Sequence, residues 1–135
     1  MNNNQPICNV DKCGNKYWYL NGKRHREDGP AIEYADGYKA WYLNGERHRE
    51  DGPAIEYANG TKYWCLNDKY HREDGPAIEY ADGSKGWYIN GKLHREDGPA
   101  IEHADGTKEW WVDDEQIKVV DNNMFLRMVN LKAFW

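Results

Sequence analysis

The chain has 135 residues, 18 basic and 23 acidic side chains and a formal net charge of −5. Its mean hydropathy of −1.08 is by itself typical of a disordered segment. The 7 Trp and 10 Tyr against 2 Phe instead indicate a folded chain with half-exposed aromatic surfaces. No apolar run approaches the roughly 20 residues of a membrane-spanning helix, so we expect no membrane partner. The acidic balance gives no reason to expect nucleic-acid binding.

The N-terminal sequence and the cysteines favour a reduced, cytoplasmic protein. The segment MNNNQPICNV has no basic region followed by an apolar stretch, so it does not resemble a secretory signal. Three cysteines cannot form a fully paired disulfide framework, and the spacing of Cys8 and Cys13 is not by itself that of a zinc site. The length fits a single domain.

A 23-residue repeat organises most of the chain. The segment HREDGPAIE occurs four times without change, and tryptophan recurs at the same step at Trp18, Trp41, Trp64, Trp87 and Trp110. Full repeats span residues 18–40, 41–63, 64–86 and 87–109. Such exact self-similarity is the signature of a stacked repeat protein.

The two ends of the repeat array are atypical. A half repeat precedes Trp18, and a degenerate fifth unit begins at Trp110. In that fifth unit two aspartates replace Asn-Gly, and Ile117 stands where a histidine would be. End units have only one neighbour, which explains why they depart from the pattern. We predict a β-repeat domain over residues 1–119 and a separate C-terminal segment over residues 120–135.

Turn signals predict two β-hairpins in each repeat. Asp-Gly at 36–37 and Asn-Gly at 44–45 are both typical of two-residue type I′ turns, which need positive φ at both positions. They bound an expected strand over residues 38–43, and residues 31–35 form its expected partner. The Arg-Glu-Asp-Gly-Pro segment is expected to be a full turn or a bulge, because Pro cannot donate to a strand ladder.

These turns also predict a register and two faces. Two-residue turns place Ile32 opposite Trp41 and Trp41 opposite His48. Side chains alternate across a sheet. The face expected to be buried or half-buried carries Trp41, Leu43, Ile32, Tyr34 and His48. The opposite face carries Tyr42, Ala31, Glu33, Ala35, Arg47 and Arg49.

Hairpins joined in series predict an all-β fold, an elongated and twisted antiparallel β-meander with a C-terminal α-helix. The helix is indicated by apolar residues at helical spacing, with Asp121 or Asn122 as N-cap. These apolar residues are Met124, Phe125, Met128, Leu131 and Trp135. Two interpretations remain open: a cap on the last sheet edge, or a partner-binding or dimerising helix that uses Met124, Phe125 and Met128.

No motif indicates catalysis, and we predict no cofactor and no metal. The Glu27 and Asp28 carboxylates recur in four equivalent solvated pairs, whereas an enzyme needs one shielded site. His25 and its equivalents are interpreted as packing on tryptophan across the strand pair, with one metal ion per repeat as the alternative. Cys65 replaces the tyrosine of other repeats and is given a packing role.

Two sets of residues are candidates for partner binding. Exposed aromatics beside arginines are typical of protein interfaces. The first set is Tyr19, Tyr42, Tyr88 and Trp111 with Arg24 and Arg47, and its alternative is a covered second face. The second set is the arginine of each Arg-Glu-Asp triplet, Arg26, Arg49, Arg72 and Arg95. Its alternative is turn chemistry with a ladder of weak surface ion pairs.

The 23-residue period and the Asn-Gly and Asp-Gly turns resemble MORN repeats, which are β-hairpin units built around aromatic and glycine positions. The likeness covers about residues 15–112. The pattern Trp-Tyr-x-Asn-Gly-x-x-His-Arg-x-Asp-Gly-Pro-Ala resembles a MORN-like variant of bacteriophage, giant-virus and bacterial proteins. Repeat families are scaffolds reused for many partners, so the resemblance implies a fold more than a single activity.

We therefore expect a non-enzymatic protein-binding repeat module. By analogy with the viral variant, it is a small phage-type inhibitor that blocks a host factor, such as a CRISPR-like anti-phage defence complex, in the host cytoplasm. The alternative is a small-ligand binder for a nucleotide or phospholipid headgroup, or a structural scaffold. A homodimer is also left open.

Overall fold

The computed structural model describes residues 4–131, a mainly β chain that ends in a helix. Two compact units, Met1–Lys69 and Tyr70–Trp135, make up the chain. Within residues 4–131 no helix has the length and apolarity needed to cross a membrane. Trp135, which the sequence pattern places on the C-terminal helix, lies outside the described residues.

The strands are very short, and most of them contain two residues. In the first unit they are β1 (Ile7–Val10), β2 (Lys16–Leu20), β3 (Lys23–Arg24), β4 (Ile32–Glu33), β5 (Lys39–Ala40), β6 (Tyr42–Leu43), β7 (Glu46–Arg47), β8 (Ile55–Glu56), β9 (Lys62–Tyr63) and β10 (Cys65–Leu66). Strand β11 (Lys69–Tyr70) begins at the last residue of that unit. The second unit contains β12 (Ile78–Glu79), β13 (Lys85–Gly86), β14 (Tyr88–Ile89), β15 (Lys92–Leu93), β16 (Ile101–Glu102), β17 (Lys108–Val112), β18 (Glu115–Ile117) and α1 (Asn122–Asn130).

Each unit is an antiparallel meander. In the first unit the strand order is β1-β2-β4-β5-β8-β9, β3 pairs with β2, and β6 and β7 form a separate hairpin. In the second unit the order is β12-β13-β16-β17-β18, and β14 and β15 form the equivalent hairpin. The predicted hairpin meander with a C-terminal helix is confirmed.

The Asn-Gly turns have the predicted geometry. Asn44 and Gly45 have φ of 51° and 82°, as a type I′ turn requires. Leu43 is opposite Glu46, and the His48 N–H donates to the Trp41 carbonyl at 3.0 Å. The degenerate fifth unit keeps this backbone, because Asp113 and Asp114 have φ of 48° and 67°. A glycine is therefore not required for the turn to form.

The Asp-Gly turn differs from the prediction by one residue. Ile32 pairs with Ala40 and not with Trp41. The Tyr34 N–H donates to the Tyr38 carbonyl at 2.8 Å, so three residues form the loop. Only Gly37, with φ of 103°, has positive φ there. This is the three-residue hairpin loop that pairs a type I turn with a left-handed residue, and Asp-Gly suits it equally well.

This one-residue shift rearranges the predicted faces. Ile32, Ala40 and Ile55 form a buried cluster, and Tyr42 packs against it rather than on the opposite face. Tyr34 was expected on the buried or half-buried face, yet it is 37% exposed. The alanine of each REDGPA segment is also fully buried, although Ala31 was expected on the opposite face; these alanines are Ala31, Ala54, Ala77 and Ala100.

The strand expected over residues 38–43 is split at Trp41. On one side β5 pairs with β4 and β8, whereas on the other side β6 pairs with β7. The chain changes partners at Trp41, whose N–H donates to the Ala54 carbonyl, 13 residues further along the same repeat, at 2.7 Å. The expected partner strand over residues 31–35 is likewise shortened to β4.

The C-terminal helix covers the last hairpin. Phe125 is fully buried against Trp110 and Val112. Asp121 is the N-cap, and its carboxylate accepts the Met124 N–H at 2.9 Å. The Trp110 indole N–H donates to the Asn122 side chain at 3.0 Å, which ties the helix start to β17. These contacts support the capping interpretation of α1.

Candidate partner-binding surfaces

The Arg-Glu-Asp-Gly-Pro segment is a bend held by its own arginine. The Arg26 guanidinium carbon lies 3.9 Å from the ring centroid of Trp18. Its Nε donates to Asp28 and its Nη1 donates to the Pro30 carbonyl, each at 3.0 Å. A Cβ on Gly29 would lie 2.8 Å from the guanidinium carbon, so a larger residue would displace the arginine. Sequence reasoning could not choose between a full turn and a bulge here.

The other arginines of the predicted binding set repeat this arrangement. Arg49 lies 3.9 Å from the Trp41 centroid, and Arg95 lies 3.9 Å from that of Trp87. Arg72 donates to Asp74 and to the Pro76 carbonyl. Their side chains are 22–24% exposed. The structure therefore gives them an intramolecular role, and partner binding by these arginines stays a prediction.

The histidine of each repeat links it to the next turn. The Asn44 N–H donates to Nδ1 of His25 at 2.9 Å, so the neutral imidazole carries its proton on Nε2. The same bond runs from Asn67 to His48, from Asn90 to His71 and from Asp113 to His94, at 3.0–3.1 Å. The sequence predicted packing of this histidine on tryptophan and not its bond to the next turn.

Consecutive bends in each unit enclose an open groove, which we call the REDG groove. In the first unit it is lined by residues 26–29, by residues 49–51, and by Trp41, Leu43 and His48, with a volume of about 720 Å³. In the second unit an equivalent groove of about 720 Å³ is lined by residues 72–75, by residues 94–97, and by Trp87 and Ile89. The sequence singled out the charged residues of the lining as candidates, but it did not predict that they enclose a groove.

A row of tyrosines in edge-to-face and tilted contact lies on the first unit, and we call it the tyrosine surface. Its consecutive ring centroids are 6.0, 4.9, 5.2 and 5.4 Å apart. The members are Tyr17, Tyr34, Tyr38, Tyr57 and Tyr63. Tyr34 and Tyr57 are 37% and 38% exposed. Burial, together with the neighbouring hydroxyls of Tyr42, Tyr57 and Tyr34, raises the pKa of Tyr38 to about 12.

The predicted aromatic row shares no residue with the tyrosine surface. Tyr42 is half-buried and packs on the same Ile32 cluster as Tyr38, with the Arg24 guanidinium carbon 5.7 Å from its ring centroid. Tyr19 is half-buried and pairs with Arg24 in the β2–β3 hairpin. Arg47 donates from Nε to Asp68 at 2.6 Å. The incorrect Asp-Gly register placed Tyr34 on the buried or half-buried face, and so the exposed part of the surface was not predicted.

The corresponding side of the second unit is more polar. Tyr88 is half-buried, and its ring centroid lies 5.4 Å from that of Tyr70. The Trp111 indole N–H donates to Glu109 at 3.3 Å. His103 Nε2 lies 2.6 Å from the other oxygen of the same carboxylate. The predicted residues Tyr88 and Trp111 therefore belong to a different environment from Tyr19 and Tyr42.

The three C-terminal residues predicted to bind a partner differ in how deeply they are buried. Phe125 is inside the cap, while Met124 is 37% exposed and Met128 is half-buried. Partner binding by the two methionines stays a prediction.

Cys65 is fully buried, and this burial raises the pKa of its thiol to about 11, which keeps it protonated near neutral pH.

Neither a metal-binding group nor a match to a known protein points to a further site in the described residues. Among residues 4–131, no three His, Cys, Asp or Glu side chains come together as a metal-binding group. No protein-family model matches the chain, and a search of curated proteins gives no significant match. The tyrosine surface and the REDG grooves therefore rest on geometry and chemistry alone.

Proposed function

We propose that the chain is a non-enzymatic protein-binding module whose MORN-like repeats present the tyrosine surface to a partner. The observation that carries the proposal is the row of five tyrosine rings in edge-to-face and tilted contact, in which Tyr34 and Tyr57 are exposed. A tyrosine offers a flat apolar body and a hydroxyl at little entropic cost, and it is enriched at protein interfaces.

The contacts between the rings also hold the exposed tyrosines in place before a partner binds. Each ring is flanked by another ring at 4.9–6.0 Å, which limits the rotamers that it can adopt. Tyr38, Tyr63 and Tyr17 pack on the buried Ile32 cluster, so the exposed rings stand on a fixed base. Less side-chain entropy is then lost when a partner binds.

A narrower form of the proposal comes from the sequence resemblance. The MORN-like variant of bacteriophage and giant-virus proteins supports a small inhibitor that binds and blocks a host factor, such as an anti-phage defence complex. Such an inhibitor would act in the host cytoplasm. The absence of a recognised catalytic motif in the sequence is in keeping with a protein that acts by occupying a surface.

The test is the double variant Tyr34→Ala/Tyr57→Ala, compared with the wild type in affinity capture from host lysate followed by mass spectrometry. We expect the specific partner to be lost while the circular dichroism spectrum is retained, because truncating interface aromatics removes most of the binding energy. The matched control is Tyr80→Ala, which removes a ring that is 46% exposed in the second unit. Equal recovery of the partner by the double variant would exclude the tyrosine surface.

Small-ligand binding is the second candidate function, and the size of the REDG grooves is the observation in its favour. A volume of about 720 Å³ is within the range of small-molecule sites. For a nucleotide or a phospholipid headgroup to bind there, the arginines of the groove would have to attract its phosphate. A thermal-shift screen with both classes of ligand tests this candidate, since a ligand that binds the folded state raises the unfolding temperature.

A further inference from the structure

We propose that the REDG grooves bind basic peptide segments, with lysine side chains in contact with the groove. This inference goes beyond the proposed function, because it concerns a different surface from the tyrosine surface. It rests on the charge, the exposure and the apolar lining of the two grooves described above.

The groove of the first unit carries an excess of negative charge. Its lining contains four carboxylates and two guanidinium groups, which leaves a formal net charge of −2. Glu27 and Asp28 are 84% and 88% exposed, and Glu50 and Asp51 have the same values. These carboxylates are therefore available to a cation that enters from solvent.

The arginines of the groove do not offset this preference. Arg26 and Arg49 have only 22% and 23% of their side chains exposed, and each donates to an aspartate and to a proline carbonyl of its own bend. An anionic ligand would have to break these bonds and pass the exposed carboxylates. The groove that sequence analysis would assign to a phosphate thus has the electrostatics of a cation site.

The lining also suits the methylene stem of lysine. Trp41 and Leu43 are half-buried and contribute apolar surface beside the carboxylates. A lysine can lay its stem along such a surface while its ammonium group contacts the charged rim. One face of the Trp41 indole is already covered by the Arg49 guanidinium at 3.9 Å, so the stem would use the remaining apolar surface of Trp41 and Leu43.

The second unit repeats the same chemistry. Glu73, Asp74, Glu96 and Asp97 are 83%, 89%, 59% and 84% exposed. Trp87 and Ile89 supply the apolar part of the lining, and Arg95 stacks on Trp87 at 3.9 Å. Because each unit contains a complete groove, both must be changed to remove the proposed site.

The test measures binding of fluorescein-labelled hexalysine by fluorescence anisotropy. The groove variant is Glu27→Gln/Glu50→Gln/Glu73→Gln/Glu96→Gln. The control variant is Glu46→Lys/Glu115→Lys, which changes the formal net charge by the same +4 at exposed positions that line neither groove. Circular dichroism and thermal unfolding establish that both variants are folded.

We expect the groove variant to lose about tenfold in affinity and the control to stay within about twofold, because several exposed ion pairs of small individual value are removed together. Added salt should weaken the wild-type binding, as for solvent-exposed charges. An equal loss in both variants would show attraction by net charge only and overturn the proposal. No binding by the wild type, or tighter binding of labelled hexaglutamate, would also overturn it.

The two proposals can fail separately. The double variant Tyr34→Ala/Tyr57→Ala should bind hexalysine like the wild type, because neither residue lines a REDG groove. Loss of hexalysine binding in that variant would contradict the assignment of the peptide to the groove. Retention of the protein partner by the groove variant would leave the tyrosine surface unaffected.

Discussion

The two units share the same bends and differ on the side of the tyrosine surface. The arginine bends and the histidine links have the same contacts in both. At the positions of Tyr38 and Tyr63, however, the second unit has Ser84 and Glu109. The bends are constant because their side chains bond to backbone atoms, whereas the tyrosine positions carry no such constraint. The scaffold and the variable surface are thus separate parts of each repeat.

The largest expected effect concerns the helical cap, which lies in the second unit. Phe125→Ala should reduce the free energy of unfolding of that unit by about 3–5 kcal/mol, the usual cost of emptying a buried aromatic site. Hydrogen exchange followed by mass spectrometry would report each unit separately. The control is Leu131→Ala, at a side chain that is 79% exposed. An equal loss of protection in residues 4–69 would contradict an effect confined to the second unit.

A smaller effect is expected for the histidine links, which both units have. His25→Ala should cost about 1–3 kcal/mol in urea-induced unfolding, because the Asn44 N–H loses its acceptor in a part-buried site. His94→Ala should cost less, since the side chain of His94 is 18% exposed against 8% for His25. Glu27→Gln changes the exposed neighbour only and serves as the control. If His25→Ala left stability unchanged, the proposed role of the link would be wrong.

The smallest effect is a pH dependence to which Tyr38 of the first unit should contribute. The pKa of Tyr38 is about 12 in the folded protein against an ordinary value of 10.0, so the unfolded chain loses this proton first. Stability should therefore be fully present below about pH 10 and should fall as pH rises towards about 12. Thermal unfolding between these values, compared with Tyr38→Phe, measures the contribution. A variant with the same alkaline slope as the wild type would remove Tyr38 as its source.

Local chemistry accounts for the parts of the fold that could be predicted. The Asn-Gly turns follow from the need for positive φ, and Asp121 could be identified as an N-cap candidate because its carboxylate suits a free helix N–H. The groove and the histidine links could not be predicted in the same way. They depend on where residues about 20 positions apart meet, which local propensity does not specify.

The tyrosine surface also could not be predicted from local propensity, and a single turn is the reason. Asp36 and Gly37 are compatible with a two-residue or a three-residue loop, and the two choices place Tyr34 differently relative to Trp41. The structure has the three-residue loop, in which Tyr34 bonds across to Tyr38. The choice agrees with the bond from the Trp41 N–H to the Ala54 carbonyl, a contact outside the hairpin.

The sequence by itself determined the 23-residue period, the Asn-Gly turns, the hairpin meander and the capped C-terminal helix. These features depend on backbone preferences that act over a few residues. Only the tertiary structure decided which tyrosine rings contact one another and where the carboxylates line a groove. Both outcomes depend on the register between strands, and a shift of one residue exchanges the faces on which all the following side chains lie.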